Sequence, residues 1–343
     1  MIIDLNEPLY SYNKFIEDAQ ALAKQYNEIV KYVTIGKSHD NRDIVLLKLG
    51  SGKRYIVCCG GVHGRETINT IVLMKIIEYY AQLYLNYKSM KAAGKLRPQS
   101  ISYADIPIQP NHSVNQSKVI ISSEDILRDE YEQAIYGNCI YELLQTYTIL
   151  FIPLLNPDGY MISLLGYDCI DNKDLRNKCI TMNIRNSEWK FNARGIDINR
   201  NFPSRLWKPS NDMDYVASET ETKSLVMVFH QYKPKGFLDF HSRGRSIYYY
   251  KRMMSKTYND RQLSIASQLK NITGYELVHP KEEVEHGDSG GNTVHYFSEH
   301  FYKTAFTIET VEDEAPFPLD INYRHMTFEE LKLVIFTYGS LII

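Results

Sequence analysis

The chain of 343 residues lacks features that define several large classes of protein. Its formal net charge is only −2, so no excess of one sign favours binding to nucleic acid or to an anionic membrane through bulk electrostatics. No run of residues is long and apolar enough to predict a membrane span. The first eight residues carry neither a basic region nor an apolar signal segment, so a cytoplasmic location is the default expectation.

Cysteine is scarce and unpatterned. The five cysteines make an odd number, and no two of them form a Cys-x-x-Cys pair. Cys58 and Cys59 stand side by side in an apolar run, where cysteine usually behaves as a small buried hydrophobe. This usage favours a reducing compartment over a disulfide framework.

The chain also lacks internal repeats and any linker that would divide it, so we expect a single domain over residues 1–343. Residues 88–118 differ from the rest because Lys, Gln, Ser, Pro and Asn dominate there. This composition predicts an irregular insertion, either a lid or specificity loop or a plain surface excursion.

What is present is a chain with 44% hydrophobic and 23% charged residues, as is usual for a globular protein. Hydrophobic periodicity predicts helices over 12–32, 67–87, 124–146, 218–232, 258–272 and 327–341. A Ser-x-x-Glu pattern at Ser218 and Glu221 predicts a capping box for the fourth of them. Short apolar runs predict strands over 31–35, 44–49, 55–59, 147–155, 236–240 and 305–310. Alternating helices and strands predict an α/β fold.

The strand over 55–59 is followed by two glycines and then by His63 and Glu66. Ligands of open α/β sheets bind at the edge where a central strand ends and a helix begins. A histidine and a carboxylate three residues apart can reach one Zn²⁺, and one distant third ligand would complete a catalytic site. The alternative is a surface turn that happens to carry polar residues.

Polar residues follow the apolar runs at further places. Asn156-Pro-Asp-Gly159 predicts a turn after the strand over 147–155. Asn199 and Arg200 follow a short β-like piece, whereas His241 and Glu309 end strands of their own. Neighbouring strands would bring these last four residues together with His63 and Glu66. Two imidazoles and one carboxylate then leave the fourth position of a tetrahedral Zn²⁺ open, and Glu309 is left as a free carboxylate that could accept a proton.

At this point the sequence resembles the zinc carboxypeptidases of the carboxypeptidase A type, and most of all their bacterial branch that cuts γ-D-glutamyl-diaminopimelate bonds. The family's motifs match, in order, His63-Gly-Arg-Glu66, Asn156-Pro-Asp-Gly159, Gly195-Ile-Asp-Ile-Asn-Arg-Asn-Phe202, His241-Ser242 and Thr-Ile-Glu309. The bacterial branch adds Trp-Lys-x-Asn at 189–192 and His-Ser-Arg-Gly at 241–244. The resemblance implies a mixed sheet of about eight strands with helices on both faces.

The resemblance also implies roles for single residues. His63, Glu66 and His241 would bind Zn²⁺, and Glu309 would act as the general base. Asn199 and Arg200 match the pair that holds a terminal carboxylate of the substrate, a use that suits the planar arginine fork. Lys190 falls where animal enzymes carry an arginine that stabilises the oxyanion, although the spacing leaves Arg185 and Arg194 as alternatives.

Two positions concern substrate choice. His286 stands where animal enzymes place a mobile tyrosine, four residues before Gly290-Gly291. Arg243, two residues after His241, either meets a second carboxylate of diaminopimelate or pairs with a local acid.

The sequence thus predicts a zinc metallopeptidase that hydrolyses an amide bond beside a free carboxylate, with a peptidoglycan stem peptide as the substrate. Secretion or association with spores are alternatives to the cytoplasm. A general metallocarboxypeptidase, a deacylase of small N-acyl amino acids and a non-catalytic peptide-binding protein are the competing hypotheses. The presence of three ligands and Glu309 weighs against a non-catalytic protein.

Overall fold

The structure is a computed structural model, which describes residues 2–94, 136–209, 215–283 and 290–342. The strands in these ranges are β1 (Val30–Lys37), β2 (Asp43–Leu49), β3 (Arg54–Gly60), β4 (Tyr147–Ile152), β5 (Gly236–Ser242), β6 (Ser246–Tyr248), β7 (Glu276–Leu277) and β8 (Thr304–Thr310). They form one eight-stranded sheet in the order β1-β2-β4-β3-β5-β8-β6-β7. The central strands β4, β3, β5 and β8 are parallel, and β2 and β6 flank them in the antiparallel sense. The predicted mixed sheet is confirmed.

Helices cover both faces of this sheet. They are α1 (Tyr12–Gln25), α2 (Thr67–Ala92), α3 (136–146), α4 (Pro157–Leu165), α5 (Lys173–Thr181), α6 (Thr220–Tyr232), α7 (Lys256–Thr273), α8 (Thr293–Phe301), α9 (Tyr323–Leu331) and α10 (Val334–Leu341). Successive side chains of a strand point to opposite faces, so β3 sends Ile56 and Cys58 into one core and Val57 and Cys59 into the other. Helices α1, α2, α7 and α10 pack on the first core, whereas α6 and α8 pack on the second.

The carboxyl ends of the parallel strands are tied together by buried hydrogen bonds. Asn69, in the first turn of α2, donates to the Ser242 hydroxyl at the end of β5 over 3.0 Å and accepts from the Thr310 hydroxyl at the end of β8 over 3.0 Å. The two hydroxyl groups are 2.8 Å apart. This network fixes the start of α2 against two strand ends, which is the edge where the sequence predicts the site.

Several sequence-based predictions need correction. Helix α2 continues to Ala92, five residues into the segment predicted to be irregular, because Lys88 pairs with Glu28 and Lys91 lies over the ring of Tyr141. The rest of that segment, 95–118, lies outside the described residues. The closing helix is two helices, α9 and α10. The β-like piece before Asn199 is a set of 3₁₀ turns rather than a strand.

The predicted capping box is also wrong. Glu219 occupies the N-cap of α6, and no side chain caps it. The Ser218 hydroxyl donates instead to the Glu219 carboxylate over 2.6 Å. The Glu221 carboxylate faces His39 at 3.8 Å and the Asn192 amide at 3.3 Å. The Ser218 hydroxyl and the Glu221 carboxylate, which a capping box would use, therefore contact other side chains.

Candidate metal centre

His63 stands in a loop that is held from both sides. The Asn156 side chain donates to the carbonyl oxygens of Val62 and Phe191, both over 3.1 Å. A Cβ on Gly64 would lie 2.2 Å from the carbonyl oxygen of Gly159, so this loop and the Asn156–Gly159 turn approach too closely for any residue but glycine. In the structure, the turn predicted at Asn156 is the start of α4. Its contacts buttress the His63 loop.

His63, Glu66 and His241 converge as the sequence predicts. His63 Nδ1 lies 2.7 Å from Glu66 Oε1, and His241 Nδ1 lies 3.0 Å from Glu66 Oε2. One donor atom from each residue lies within 4.8 Å of the other two, as one bound ion requires. Both imidazoles thus turn the same nitrogen, Nδ1, toward the Glu66 carboxylate. This donor set of two imidazole nitrogens and one carboxylate is the chemistry that a catalytic zinc site uses.

The charges of this group are strongly coupled. Burial alone would lower the pKa of His63, but the carboxylates of Glu66 and Asp197 raise it to about 9. Burial alone would raise the pKa of Glu66, but the two histidines lower it to about 2. The buried carboxylates therefore favour a cation between them, which agrees with the donor set.

Glu309 lies beside the three residues because of strand register. In the parallel pairing of β5 with β8, His241 is directly opposite Glu309. Burial, with a smaller effect from the Glu66 charge, raises the pKa of the Glu309 carboxyl to about 8. A carboxyl group with a raised pKa next to a metal site is a candidate proton acceptor and donor near neutral pH.

Each histidine has a second carboxylate behind it, and these two aspartates were not predicted from the sequence. His63 Nε2 lies 3.2 Å from Asp197 Oδ1, and His241 Nε2 lies 3.0 Å from Asp239 Oδ2. Asp197 stands inside the motif at 195–202, and Asp239 precedes His241 by two positions on the same strand face. The spacing of Asp239 was the available signal, because residues i and i+2 of a strand share a face.

Lys190 reaches this group through Asp197. Its Nζ lies 2.8 Å from Asp197 Oδ2. The two alternatives to Lys190 are paired elsewhere: Arg185 with Glu188 at 2.8 Å, and Arg194 with Glu219 at 3.1 Å.

Asn199 and Arg200 are fixed by α8 and by the glycine pair that precedes it. The amide of Thr293, at the start of α8, donates to Asn199 Oδ1 over 3.1 Å. A Cβ on Gly291 would lie 2.8 Å from the carbonyl oxygen of Arg200, so only glycine allows this approach. His286, four residues before the pair, lies outside the described residues.

The positive charge of Arg200 also lowers the pKa of Asp197. Burial alone would raise the pKa of Asp197, but His63, Lys190 and Arg200 together hold it well below its usual range. The segment that carries Asn199 and Arg200 is therefore coupled electrostatically to the His63 side of the site.

Arg243 lies on one aromatic ring together with Arg65. The Arg243 guanidinium is 5.4 Å from the centroid of Phe317, and that of Arg65 is 4.5 Å from it. Asp313, the acid within reach of Arg243, is 4.0 Å away and 81% exposed, which makes it a weak partner. Arg65 also contacts Glu188, at 3.4 Å. Two partly exposed guanidinium groups therefore lie close in sequence to the metal ligands.

A second cluster of histidine and carboxylates lies elsewhere, and we call His39, Glu219 and Glu221 the His39 group. Glu219 Oε2 accepts from His39 at 3.0 Å and from the Asn192 amide at 2.7 Å, while Glu219 Oε1 pairs with Arg194. Nitrogen donors thus already occupy the space between these carboxylates, and we interpret the group as a buried hydrogen-bond network.

The family of the chain follows from comparison with family models. The model for zinc carboxypeptidases matches residues 15–97 and 131–327, which is most of the chain. The chain belongs to the zinc carboxypeptidase family. Zinc is the metal of this family, and the predicted family resemblance is confirmed.

Individual relatives are distant. The gamma-D-glutamyl-L-diamino acid endopeptidase 1 of Lysinibacillus sphaericus is 21% identical over 326 residues, which cover 90% of this chain and 67% of that protein. The uncharacterized protein YqgT of Bacillus subtilis (strain 168) is 25% identical over 199 residues, covering 53% of this chain. The chain matches only half the length of YqgT.

Solved structures share the fold. The crystal structure of carboxypeptidase A from Helicoverpa armigera superposes with a TM-score of 0.61 and 17% identity, covering 96% of this chain and 73% of that one.

Within the described residues, every helix is too short or too polar to cross a membrane.

Proposed function

We propose that the protein is a zinc metallopeptidase in which His63, Glu66 and His241 hold the metal and Glu309 is the general base. The observation that carries this proposal is the placement of Glu309 directly opposite His241 on neighbouring parallel strands. Bound zinc supplies Lewis acidity, which polarises a carbonyl group and makes water more acidic. A retained fold without catalysis would not need a fourth, free carboxylate at this position.

The residues of the chain divide the reaction between them. Glu309 accepts a proton from the water molecule whose oxygen attacks the carbonyl carbon, and then gives that proton to the leaving nitrogen as the C–N bond breaks. One water is consumed, and one acid and one amine are released. Lys190 supplies the positive charge that faces the developing oxyanion, in keeping with its contact with Asp197, which in turn contacts the ligand His63.

Substrate recognition rests on cationic groups around this centre. Asn199 and Arg200 receive a free carboxylate on the leaving side of the scissile bond. His286 precedes by four positions in sequence the glycine pair that lies against Arg200. Arg243 receives a second carboxylate, because its guanidinium lies over the Phe317 ring and its acidic partner within the described ranges is the weak, exposed Asp313. Diaminopimelate carries such a second carboxylate on its side chain, whereas lysine does not.

We infer from this that the substrate is a peptidoglycan stem peptide cleaved at a γ-D-glutamyl-diaminopimelate type of bond. The endopeptidase activity for which the Lysinibacillus sphaericus relative is named supports this substrate class. A general carboxypeptidase on the same site would show no dependence on the side-chain carboxylate.

The test compares two stem peptides that differ only in diaminopimelate or lysine, with products identified by mass spectrometry. We expect the diaminopimelate peptide to have the higher kcat/KM, and we expect the ratio to shrink in Arg243→Ala because the carboxylate loses its partner. Arg261→Ala, which removes an exposed arginine of α7, is the matched control and should leave the ratio unchanged.

Glu309→Gln provides the catalytic control. It keeps the shape of the side chain but removes the proton acceptor, so turnover should fall by on the order of 10²–10⁴-fold while zinc stays bound. Near-normal activity in this variant would remove Glu309 from the mechanism. An unchanged peptide ratio in Arg243→Ala would mean that Arg243 does not bind the side-chain carboxylate, and equal kcat/KM values for the two peptides would leave a general carboxypeptidase.

A further inference from the structure

The two aspartates behind the histidine ligands differ in their surroundings. Asp197 is shared among several positive or polar groups: Oδ2 pairs with Lys190, and Oδ1 accepts from the backbone amide of Asn199 over 2.9 Å. Its negative charge is therefore largely balanced within the substrate-binding loop, whatever happens at His63.

The negative charge of Asp239 is not balanced by a lysine or arginine of the described residues. The residue is fully buried, and among the described residues its contacts are His241 and the Thr293 hydroxyl, which donates to Oδ2. The other oxygen, Oδ1, has no hydrogen-bond partner within those residues. In the ranges that the structure covers, no lysine or arginine pairs with this carboxylate. A buried carboxylate whose one ion-pair partner among the described residues is an imidazole is costly unless that imidazole is held to a cation.

Strand geometry directs this charge to His241. Asp239 and His241 are residues i and i+2 of β5, so both side chains leave the same face of the strand. Nε2 of His241 lies 3.0 Å from Asp239 Oδ2, as an ion-pair contact rather than an aligned hydrogen bond. Nδ1 of the same ring, 3.0 Å from Glu66, faces the metal ligands. The carboxylate thus lies behind the ring, on the side opposite the ligand nitrogen.

We propose that Asp239 is a positioning residue of the zinc site, which acts through His241 and supplies the negative charge that Asp197 cannot. This inference rests on the proposed zinc ligands. With Asp197 neutralised by Lys190, and Glu309 left to exchange its proton with water, Glu66 and Asp239 are the two carboxylates whose charges balance a divalent ion. The two aspartates therefore differ in function: Asp239 sets the affinity for the metal, and Asp197 orders Lys190 and Asn199 for the substrate.

The test is the zinc dissociation constant, measured by competition with a chromophoric chelator, for the wild type and for Asp239→Asn, Asp197→Asn and Thr293→Val. Loss of an outer partner of a metal-ligating histidine weakens metal binding by about 10–100-fold, and we expect this for Asp239→Asn. Asp197→Asn and Thr293→Val should weaken it by smaller factors, because the first removes a charge already balanced and the second leaves the charge in place. Asp239→Ser, smaller and also neutral, is measured as a second variant in case the asparagine is not accommodated.

Thermal unfolding of the metal-free proteins separates this role from a structural one. A residue needed only for folding would lower the unfolding temperature of the metal-free protein and leave the zinc dissociation constant unchanged, which would overturn the proposal. An equal loss of affinity in Asp239→Asn and Asp197→Asn would overturn it as well. His241→Ala sets the floor of the assay: if that variant binds zinc normally, the proposed ligands themselves are wrong.

Discussion

Glu221 shows how burial changes a single carboxyl group. Its side chain is fully buried in the His39 group, and its Oε1 has no hydrogen-bond partner within the described ranges. Burial raises the pKa of Glu221 from 4.5 to about 7, although His39 opposes the shift. The neighbouring Glu219 shows the opposite result: burial alone would raise its pKa, but His39 and the other hydrogen-bond donors lower it to about 2.

The raised pKa of Glu221 predicts that the stability of the protein depends on pH. The folded protein keeps a proton on Glu221 that the unfolded chain releases above pH about 4.5, so the contribution of Glu221 to stability is lost as pH rises toward about 7. Glu221→Gln mimics the protonated acid at every pH. We expect it to unfold like the wild type near pH 4.5 and to be more stable at pH 8, by on the order of 3 kcal/mol.

Denaturant unfolding of both proteins across this pH range measures the difference. Glu142→Gln, which changes an exposed glutamate, is the control and should give a difference that does not vary with pH. A constant difference for Glu221→Gln would mean that folding does not raise the pKa of Glu221.

Sequence analysis identified site residues that belong to a motif with a fixed spacing and missed those that do not. His63 and Glu66 are three positions apart, and the structure brings them together with His241 as predicted. Asp239 was missed, because its spacing from His241 shows that the two share a strand face but the role of such an acid depends on its neighbours in the sheet. The same holds for the contact between Phe317 and Arg243, whose residues are 74 positions apart (317 − 243) in the chain.

At the level of elements, α4 illustrates how one motif can have two interpretations. The pattern Asn-Pro-Asp-Gly predicts a turn, yet Asn156 is the N-cap of α4 and Pro157 stands in its first turn, where proline is well tolerated. The short strands β6 and β7 were missed for another reason. They have only three and two residues, and they form only by pairing with other strands. Elements defined by partners far along the chain leave little local pattern.

Gly159→Ala tests the buttress that α4 provides. The added Cβ would lie 2.2 Å from the carbonyl oxygen of Phe191, so backbone must move, which we expect to cost about 1–3 kcal/mol of stability and to weaken zinc binding through the Gly64 contact. Gly166→Ala, at the other end of the same helix, has open space around its Cβ but a φ of +82°, so it should also cost stability while it binds zinc normally. Unfolding free energy and zinc affinity are measured for both. Wild-type affinity in Gly159→Ala would show that the turn does not position His63.

For the molecule as a whole, the sequence predicted the class of the fold and most of its central strands, but not their order. Strand β5 pairs with β8 across a separation of 62 positions (304 − 242), and its pairing with β3 spans a longer one, so periodicity carries no information about these partners. The mixed eight-stranded sheet was therefore available only through the family resemblance. The prediction of a single domain over 1–343 stays a prediction.

Metal removal tests how the site contributes to global stability. The proposed ligands join the loop before α2 to β5, so binding of zinc to the folded state alone should raise the unfolding free energy, by about 2.7 kcal/mol when free zinc is 100 times its dissociation constant. We expect a chelator to lower the unfolding temperature and added zinc to restore it. His279→Ala, which removes an exposed histidine, should respond like the wild type, whereas His241→Ala should not respond to either reagent.

The register of β5 and β8 has a consequence for how this protein can change over evolutionary time. The ligand His241 and the base Glu309 stand on adjacent strands, so backbone hydrogen bonds hold them at a fixed separation. The groups proposed to read the substrate stand outside those strands, on the segments around Arg200, Arg243 and His286. Substitutions, insertions and deletions in these segments can alter the range of substrates while the reactive pair stays in place. A one-residue deletion within β8, in contrast, would turn Glu309 to the opposite face and would also displace the buried side chains of that strand from the core, so both catalysis and stability would be lost.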